Sequence, residues 1–536
     1  IKIIEFYFRL SYNKLEFIKI KSKMDLNIIL IIILLFSLLL TYLSLITKKT
    51  AIQIVDEMNF GWNLANSFEC YNIDSNRKID NPDDQITLWG NEIPTKEILL
   101  KLKRYGFKTI RFPLTWMYFM DESGKVDKEW MSRVRQFIDW VINYKMYCIL
   151  NVHNDGASNN WLTKGETAKE KFIKLWQQIA NEFKAYDEHL IFEGMNDIEY
   201  NGEYNYTLLL SFNQAFIDTI RSSGGYNKER LLIISGANKE VDLTCSEDYK
   251  IPYDPSYKIA ISIHYSIPVY FTVERDDDPW YYIDGQGEKI IIIPMTKWGD
   301  DNNYKEMFSY FELMKKIFVY KGIPVIITEV GVLTEQKKEI ESIRKFLFFE
   351  FSMSTSYKGI MSCLLDKSNR KYADINYFDR INYKWFDENI RENFRNIYRG
   401  NFVNPTNYYI ETNLETVKRA AFGWNLYIKI DKKEVLKIIF NVDILTIELW
   451  SVGFGVVSTD KKGLEIKIQI SGTEGKKQYD GSYTCTIDAT DLEICNSVEV
   501  QKWWEYDNAI VNYLTVEFNQ SYTMFNYDAY KSALKK

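Results

Sequence analysis

The hydrophobic positions of this chain follow two patterns that meet near residue 400. From residue 59 to residue 399, short apolar runs typical of buried strands alternate with stretches whose apolar residues recur at helical spacing. Strands are predicted at Phe60–Ala65, Lys108–Pro113, Tyr147–His153, Leu190–Asn196, Leu231–Gly236, Ile259–His264, Pro324–Glu329 and Gly359–Leu365. Helices are predicted at Lys128–Asn143, Thr167–Ala185, Tyr206–Arg221, Tyr304–Tyr320 and Glu335–Phe351. This α/β alternation favours a (β/α)8 TIM barrel over residues 51–400 rather than an open sheet.

Beyond residue 401 the helical spacing gives way to alternation of apolar and polar positions. Gly and Asp turns separate the alternating runs, which lie at Leu426–Ile430, Val435–Asn441, Leu464–Ser471, Ser482–Ile487 and Asn512–Phe518. This pattern predicts a small antiparallel β-sandwich domain over residues 401–536. Because no Pro-rich or Ser-rich linker separates it from the barrel, we expect the two domains to touch.

An N-terminal extension, residues 1–50, contains an apolar run from Ile28 to Ile46. The run is longer than the usual core of a signal peptide, and Lys48 and Lys49 follow it instead of an obvious cleavage site. It is also long enough to span a bilayer as an uncleaved anchor. We therefore expect a secreted, extracellular protein in which residues 28–46 are either a cleaved signal peptide or, as the alternative, a signal anchor that holds the protein to the membrane.

Composition excludes several classes of protein. The net charge of −6 gives no basic surface for nucleic acid. Six Cys in 536 residues are not a disulfide framework. Cys485 and Cys495 are close enough in sequence to form a disulfide, and the alternative in which both stay unlinked is left open. The histidines and carboxylates are dispersed and lack the spacing of metal ligands, so no metal and no cofactor is expected. We expect a monomer.

Polar residues stand at or near the carboxyl ends of five predicted strands. They are Arg111, His153, the pair Asn196-Asp197, His264 and Glu329. In a (β/α)8 barrel these ends meet at one face, where active sites lie. Two carboxylates at the ends of two buried strands are what retaining glycoside hydrolysis requires, because one protonates the leaving oxygen while the other attacks the sugar carbon from about 5–5.5 Å away.

Several motifs in the barrel region occur in the order of a known family's signature blocks. They are Gly61–Asn66, Leu88–Asn91, Thr109–Trp116, Leu150–His153, Leu190–Asn196, Gly322–Gly331 and Trp385–Ile390. The region resembles glycoside hydrolase family 5, and most closely its bacterial-type endo-β-1,4-glucanases. The resemblance implies a (β/α)8 barrel that hydrolyses β-glucan in plant polysaccharide breakdown. The predicted sandwich is outside the resemblance and is only loosely similar to carbohydrate-binding modules, and its Trp residues would suit either a core or a sugar-stacking platform.

The resemblance implies a role for each residue that matches a family motif. Glu329 matches the catalytic nucleophile and Asp197 stands at the acid/base position. Arg111 matches the arginine that keeps the nucleophile ionised, Asn196 matches the residue that contacts the sugar 2-hydroxyl, and the site histidines correspond to His153 and His264. Trp161 is a further candidate for substrate binding. The expected partner is therefore a β-glucan polysaccharide or oligosaccharide.

Four positions depart from the family pattern. Asp197 replaces the glutamate of the family's Asn-Glu-Pro motif, and Asn154 stands where a second histidine is common. Ser266 replaces a tyrosine that contacts the nucleophile, and Leu365 replaces a tryptophan under the sugar site. We therefore expect a slow enzyme. The alternatives are a catalytically impaired glucan-binding protein on a hydrolase scaffold and, if the apolar N-terminal run is uncleaved, a structural cell-surface protein.

Overall fold

The computed structural model describes residues 48–71, 79–156, 160–196, 205–273, 281–283, 289–291, 295–334, 338–368, 375–418, 425–428, 435–444, 453–459, 465–477, 483–488, 498–502 and 509–535. Several features singled out in the sequence lie outside these ranges. They are the apolar run 28–46, the carboxylates Asp197 and Glu199, Cys495, and the C-terminal aromatic residues Trp424, Trp450, Trp503, Trp504 and Tyr506.

Eight parallel strands close into a barrel, which confirms the predicted fold class. In chain order they are β1 (Gly61–Asn63), β2 (Thr109–Phe112), β3 (Tyr147–Asn151), β4 (Leu190–Glu193), β5 (Leu232–Ser235), β6 (Ile259–Tyr265), β7 (Val325–Val330) and β8 (Ile360–Leu364). Each strand pairs with the next along the chain, and β8 pairs with β1. A short hairpin, Tyr281–Ile283 with Lys289–Ile291, lies between β6 and β7 in the sequence, and a smaller one pairs Phe378–Asp379 with Lys384–Trp385.

Helices precede the first strand, follow the last one and fill connections between the others. They span Ala51–Met58, Pro82–Ile86, Lys96–Arg104, Lys128–Asn143, Lys169–Phe183, Tyr206–Ser222, Val241–Thr244, Val269–Thr272, Asp301–Ile317, Ile340–Ser356 and Glu388–Tyr398. The helix Lys128–Asn143, whose bounds the sequence pattern predicts, has both a capping residue and an apolar face. Asp127 caps its N-terminus by accepting hydrogen bonds from the backbone of Glu129 and Trp130. Its buried residues, Trp130, Val134, Phe137, Ile138 and Val141, recur at helical spacing along one face.

The barrel has separate inner and outer cores because side chains alternate along each strand. Inside, Ile149, Ile191, Ile233 and Ile326 pack with the buried residues of the helix Ala51–Met58. Outside, the strands pack against the surrounding helices in one large apolar cluster. The side chains at the carboxyl end of the barrel interior are polar instead, and they form the site described below.

A shift of pairing register in β7 decides where Glu329 points. Ile263 of β6 pairs with Ile327, but the next residue, His264, pairs with Glu329, so Thr328 is an extra residue on β7. Simple alternation would place Glu329 on the outer face with Ile327. The extra residue reverses this, so that Glu329 shares the inner face with Thr328 and lies beside His264.

The C-terminal region forms two antiparallel sheets. The five-stranded sheet contains Tyr409–Lys418, Ala509–Phe525, Val435–Ile444, Tyr483–Asp488 and Lys476–Lys477 in spatial order. The four-stranded sheet contains Asn425–Ile428, Val498–Lys502, Gly453–Thr459 and Glu465–Ser471. A final helix, Tyr527–Leu534, follows the longest strand. In the described ranges, no helix combines the length and the apolar character needed to cross a membrane.

Candidate active site

Polar side chains from six barrel strands meet at the carboxyl end of the barrel. The contributing residues are Asn63 of β1, Arg111 of β2, Asn151 of β3, Glu193 of β4, Ser262 and His264 of β6, and Glu329 of β7. Arg111 lies opposite Asn63 in the register of β1 and β2, and Asn151 lies opposite Glu193 in that of β3 and β4. The parallel pairing therefore sets these groups at one level of the barrel.

Arg111 is the centre of this cluster and is completely buried. Its Nε and Nη2 donate to the two oxygens of Glu193 at 2.7 and 3.0 Å, which is a bidentate ion pair. Its Nη1 donates to Glu329 Oε1 at 2.6 Å and to Asn63 Oδ1 at 3.0 Å, and its Nη2 also donates to Asn196 Oδ1 at 2.8 Å. All five N–H groups of the guanidinium are thus engaged, which fixes its plane.

Glu329 is held as an anion that solvent can reach. Its side chain is 18% exposed, whereas those of Arg111 and Glu193 are fully buried. Burial alone would raise the pKa of Glu329, but its electrostatic interactions with His264, Arg111 and His153, and the hydrogen bond from Arg111, outweigh burial and lower it to about 2. An accessible carboxylate that stays ionised at neutral pH is suited to nucleophilic attack.

Two histidines flank Glu329. The Nε2 atoms of His153 and His264 lie 3.9 and 3.8 Å from Glu329 Oε1. Burial lowers the pKa of His153 to about 3, and the charge of Arg111 acts in the same direction. His153 is therefore neutral at neutral pH, where the guanidinium of Arg111 keeps its charge. The Nδ1 of His153 lies 3.1 Å from Asn151 Nδ2, which helps to orient the ring.

Asn196 is oriented by Arg111. Because a guanidinium can only donate, the amide oxygen of Asn196 must face it, which leaves the amide nitrogen to donate elsewhere. The backbone N–H of Asn196 donates to Val152 O at 2.8 Å, which ties the loop after β4 to the residue that follows β3. Asn196 is the last described residue before a gap, so the predicted acid/base residue Asp197 lies outside the described ranges.

Trp161 lies in a short helical segment, Trp161–Ala168, beyond β3. Its indole Nε1 donates to Asp155 Oδ1 at 2.6 Å, and the ammonium of Lys171 lies 5.2 Å from the centre of its ring. The backbone N–H of Trp116 donates to the other oxygen of Asp155 at 2.8 Å. Burial raises the pKa of Asp155 to about 6. Asp155 thus fixes the position of a half-buried aromatic ring near the mouth of the barrel.

The three described departures from the family pattern have structural roles of their own. Asn154 donates from Nδ2 to Glu69 O at 2.8 Å and so joins two loops. The carbonyl of Ser266 accepts from Thr272 Oγ1 at 2.8 Å. Leu365 donates its backbone N–H to Val330 O at 2.8 Å and is partly buried against the outer core.

Two charged residues of the cluster were not predicted. Glu193 ends β4 and is completely buried, and Lys239, in the loop after β5, donates from Nζ to Glu193 Oε1 at 2.7 Å. A carboxylate inside an apolar strand needs a charged partner, so the run Leu190-Ile-Phe-Glu193 did carry a signal. No local pattern points to Lys239, because its contact with Glu193 spans 46 residues of sequence.

The described ranges contain no group of three or more His, Cys, Asp or Glu side chains placed to hold a metal ion. What the cluster offers is a fixed guanidinium, an ionised carboxylate, two imidazoles and an oriented amide. Such a set can bind hydroxyl groups and attack an electrophilic carbon.

Comparison with known proteins gives a consistent result. A family model described as cellulase, glycosyl hydrolase family 5, matches residues 68–363. Endoglucanase A of Paenibacillus barcinonensis is 31% identical over 350 residues, which cover 60% of this chain and 80% of that protein. Endoglucanase A of Ruminococcus albus is 30% identical over 362 residues, covering 64% of this chain and 91% of that protein.

Solved structures extend the comparison. A GH5-4 broad specificity endoglucanase from an uncultured bovine rumen ciliate superposes with a TM-score of 0.64 at 52% identity, covering 66% of this chain and 99% of that one. A family 5 xyloglucanase from Paenibacillus pabuli superposes with a TM-score of 0.55 at 28% identity, covering 65% and 100%. Because the family model covers more than half of its residues, the chain belongs to glycosyl hydrolase family 5.

Proposed function

We propose that this family 5 glycoside hydrolase is an exported, retaining endo-β-1,4-glucanase with attenuated turnover. In this proposal Glu329 is the nucleophile and Asp197 is the acid/base residue. The observation that carries the proposal is the ionised carboxylate of Glu329 at the end of β7, where Arg111 Nη1 donates to it at 2.6 Å and solvent can reach it.

The proposed reaction has two steps. Glu329 attacks the anomeric carbon while Asp197 donates its proton to the leaving oxygen, which gives a covalent glycosyl-enzyme. Asp197 then takes a proton from water, and that water releases the sugar from Glu329 with net retention of configuration. The amide nitrogen of Asn196 is suited to donate to the sugar 2-hydroxyl, because Arg111 engages the amide oxygen.

Attenuation is proposed because the acid side chain is short. An aspartate is one methylene shorter than the glutamate of the family, and a misplacement of about 1 Å can cost about 10²-fold in rate. The phenol of Tyr265 does not replace the tyrosine hydroxyl that is missing at Ser266. Tyr265 is completely buried on the outside of the barrel, where its ring packs near Phe311 and Phe346.

The proposed substrate is a soluble β-glucan. Solved relatives include enzymes described as a broad specificity endoglucanase and a xyloglucanase, so a groove that accepts several β-linked glucans is the starting hypothesis. We propose that Trp161 contributes a stacking surface for one sugar ring, since Asp155 holds its indole in place. The C-terminal sheets are proposed to bind the same glycan.

Release of reducing sugar from a panel of soluble β-glycans tests the proposal. Wild-type protein should release sugar from at least one glycan, and Glu329→Gln should lower the rate by more than about 10³-fold, since the amide cannot act as the nucleophile. Glycan binding by Glu329→Gln should stay within a few-fold of wild type. If the wild type binds glycan but releases no reducing sugar, the alternative of a glucan-binding protein is favoured. The short side chain at the acid position is the observation that supports this alternative.

A further inference from the structure

The buried cluster around Arg111 contains more negative charge than one guanidinium can balance. Arg111 forms ion pairs with both Glu193 and Glu329. Leaving a buried carboxylate without a counter-charge is costly, so a second cation is required if both carboxylates are to stay ionised. Lys239 meets this requirement, because its Nζ lies 2.7 Å from Glu193 Oε1 and both side chains are fully buried.

The loop that carries Lys239 is built to hold it there. Lys239 and the preceding Asn238 both adopt left-handed backbone conformations, with φ of 54° and 49°, which side chains other than glycine adopt at some cost. The loop also packs tightly on β6, since a Cβ at Gly236 would lie 2.5 Å from Ser262 O. The Nζ of Lys239 donates a second hydrogen bond to Ser262 Oγ at 2.5 Å. A strained, buried lysine with a defined target indicates a specific electrostatic role.

We propose that Lys239 is a positioning residue that neutralises Glu193 and thereby reserves the charge of Arg111 for Glu329. The two cations Arg111 and Lys239 then match the two carboxylates Glu193 and Glu329 in number. This inference rests on the proposed role of Glu329 as the nucleophile. It assigns a function in the reaction to two residues that do not themselves touch the substrate.

The titratable groups around Glu193 and Glu329 determine which of the two carboxylates becomes protonated when Lys239 is removed. Among the described residues, Glu329 faces Arg111, His153 and His264, and Glu193 faces Arg111, Lys239 and His153. The Cys363 thiol on β8 is also near, but burial raises its pKa well above its usual value and it stays neutral. Without Lys239 the two carboxylates share one cation, which favours protonation of one of them. Glu193 accepts two hydrogen bonds from Arg111 and Glu329 accepts one, so Glu329 is the carboxylate that should take up the proton.

The test measures protonation of Glu329 without relying on turnover. A water-soluble carbodiimide with an amine nucleophile labels protonated carboxyl groups, and peptide mass spectrometry reports the label at Glu329 as a function of pH. In Lys239→Met the midpoint should rise by about one pH unit. In the double variant Glu193→Gln/Lys239→Met one guanidinium again faces one carboxylate, so the midpoint should return close to the wild-type value. The acid limb of kcat/KM on an aryl β-cellobioside should move in the same way.

The control is Arg221→Met, which breaks a buried ion pair with Asp254 outside the site. It should lower thermal stability without moving the midpoint for Glu329. An unchanged midpoint in Lys239→Met, or a raised midpoint that persists in the double variant, would overturn the charge-balance role. Absence of glycan hydrolysis in the wild type, with the labelling shifts as expected, would instead count against the proposed function alone.

Discussion

The reach of a single side chain decides how well the proposed acid works. Arg111 Nη1 donates to Glu329, the proposed nucleophile, and to Asn63 Oδ1, and the same guanidinium holds Asn196, the neighbour of Asp197. The backbone that leads into position 197 is therefore well placed. What differs from the family is the length of the acid side chain, and a general acid must come within about 2.6–3.2 Å of the oxygen that it protonates.

Restoring the missing methylene should speed the reaction. We predict that Asp197→Glu raises kcat about tenfold or more, equivalent to about 1.4 kcal/mol, with a smaller effect on KM because the defect lies in the transition state. The gain should be larger on natural β-glucans than on aryl glycosides, whose leaving groups need little protonation. Steady-state kinetics on both types of substrate measures it.

Asp197→Ala is the matched control for this substitution. It should lose activity on natural glucans and retain more of it on aryl glycosides, where the nucleophile alone suffices. Equal inactivity of wild type, Asp197→Glu and Asp197→Ala, with glycan binding intact in each, would contradict the slow-enzyme proposal and support the glucan-binding alternative.

At the scale of elements, the sequence predicted the helices and strands whose signals lie within the element itself. The helix Lys128–Asn143 has the predicted bounds because its N-terminal capping residue and its apolar face are both set by residues that are close in sequence. The register shift at Thr328 was not predictable, since it arises from pairing between β6 and β7, which are about 60 residues apart in sequence. The same holds for the ion pair of Lys239 and Glu193. Secondary structure, the strand-end residues and the pairing of Arg111 with Glu329 were therefore accessible from sequence, whereas the register shift and the ion pair of Lys239 and Glu193 were not.

One helix carries a buried carboxyl group that the proposed reaction does not use. Glu350, in the helix Ile340–Ser356, is completely buried and accepts a hydrogen bond from Ser362 Oγ of β8 at 2.5 Å. Burial raises its pKa from 4.5 to about 8. The folded protein thus keeps this proton at neutral pH, whereas the unfolded chain releases it above about pH 4.5.

Stability should consequently fall as pH rises through this window. Between about pH 4.5 and 8 the folded state binds the extra proton, so Glu350 lowers the free energy of unfolding by up to about 1.4 kcal/mol for each pH unit. We predict that Glu350→Gln, which keeps an acceptor for Ser362, raises Tm by several degrees at pH 8.5 and has little effect at pH 4.5. Thermal unfolding across pH measures the difference.

Glu341→Gln on the same helix provides the comparison for Glu350. Its side chain is exposed and pairs with Arg344 at the surface, so the substitution should change Tm little at either pH. A change for Glu350→Gln that is equally independent of pH would show that its carboxyl group is ionised in the folded protein, contrary to the prediction.

At the scale of the whole molecule, the end of the chain returns to the barrel. Phe525 closes the longest C-terminal strand and packs with Phe308 and Phe349, at ring-centre distances of 5.2 and 5.4 Å. Tyr530 of the final helix packs against Phe349 at 5.4 Å and against Tyr408 at 5.7 Å. Phe525 and Tyr530 are almost completely buried, so the C-terminal region and two barrel helices share one aromatic cluster.

This cluster should couple the stability of the barrel to the C-terminal region. We predict that Phe525→Ala destabilises the protein by about 3–5 kcal/mol, because it leaves a cavity beside Phe308 and Phe349. Leu534→Ala, in the exposed last turn of the final helix, is the control and should change stability by less than about 0.5 kcal/mol. Calorimetry should show the transition of the barrel moving with Phe525→Ala. If only a separate C-terminal transition moves, the two regions unfold independently and the aromatic contact does not couple them.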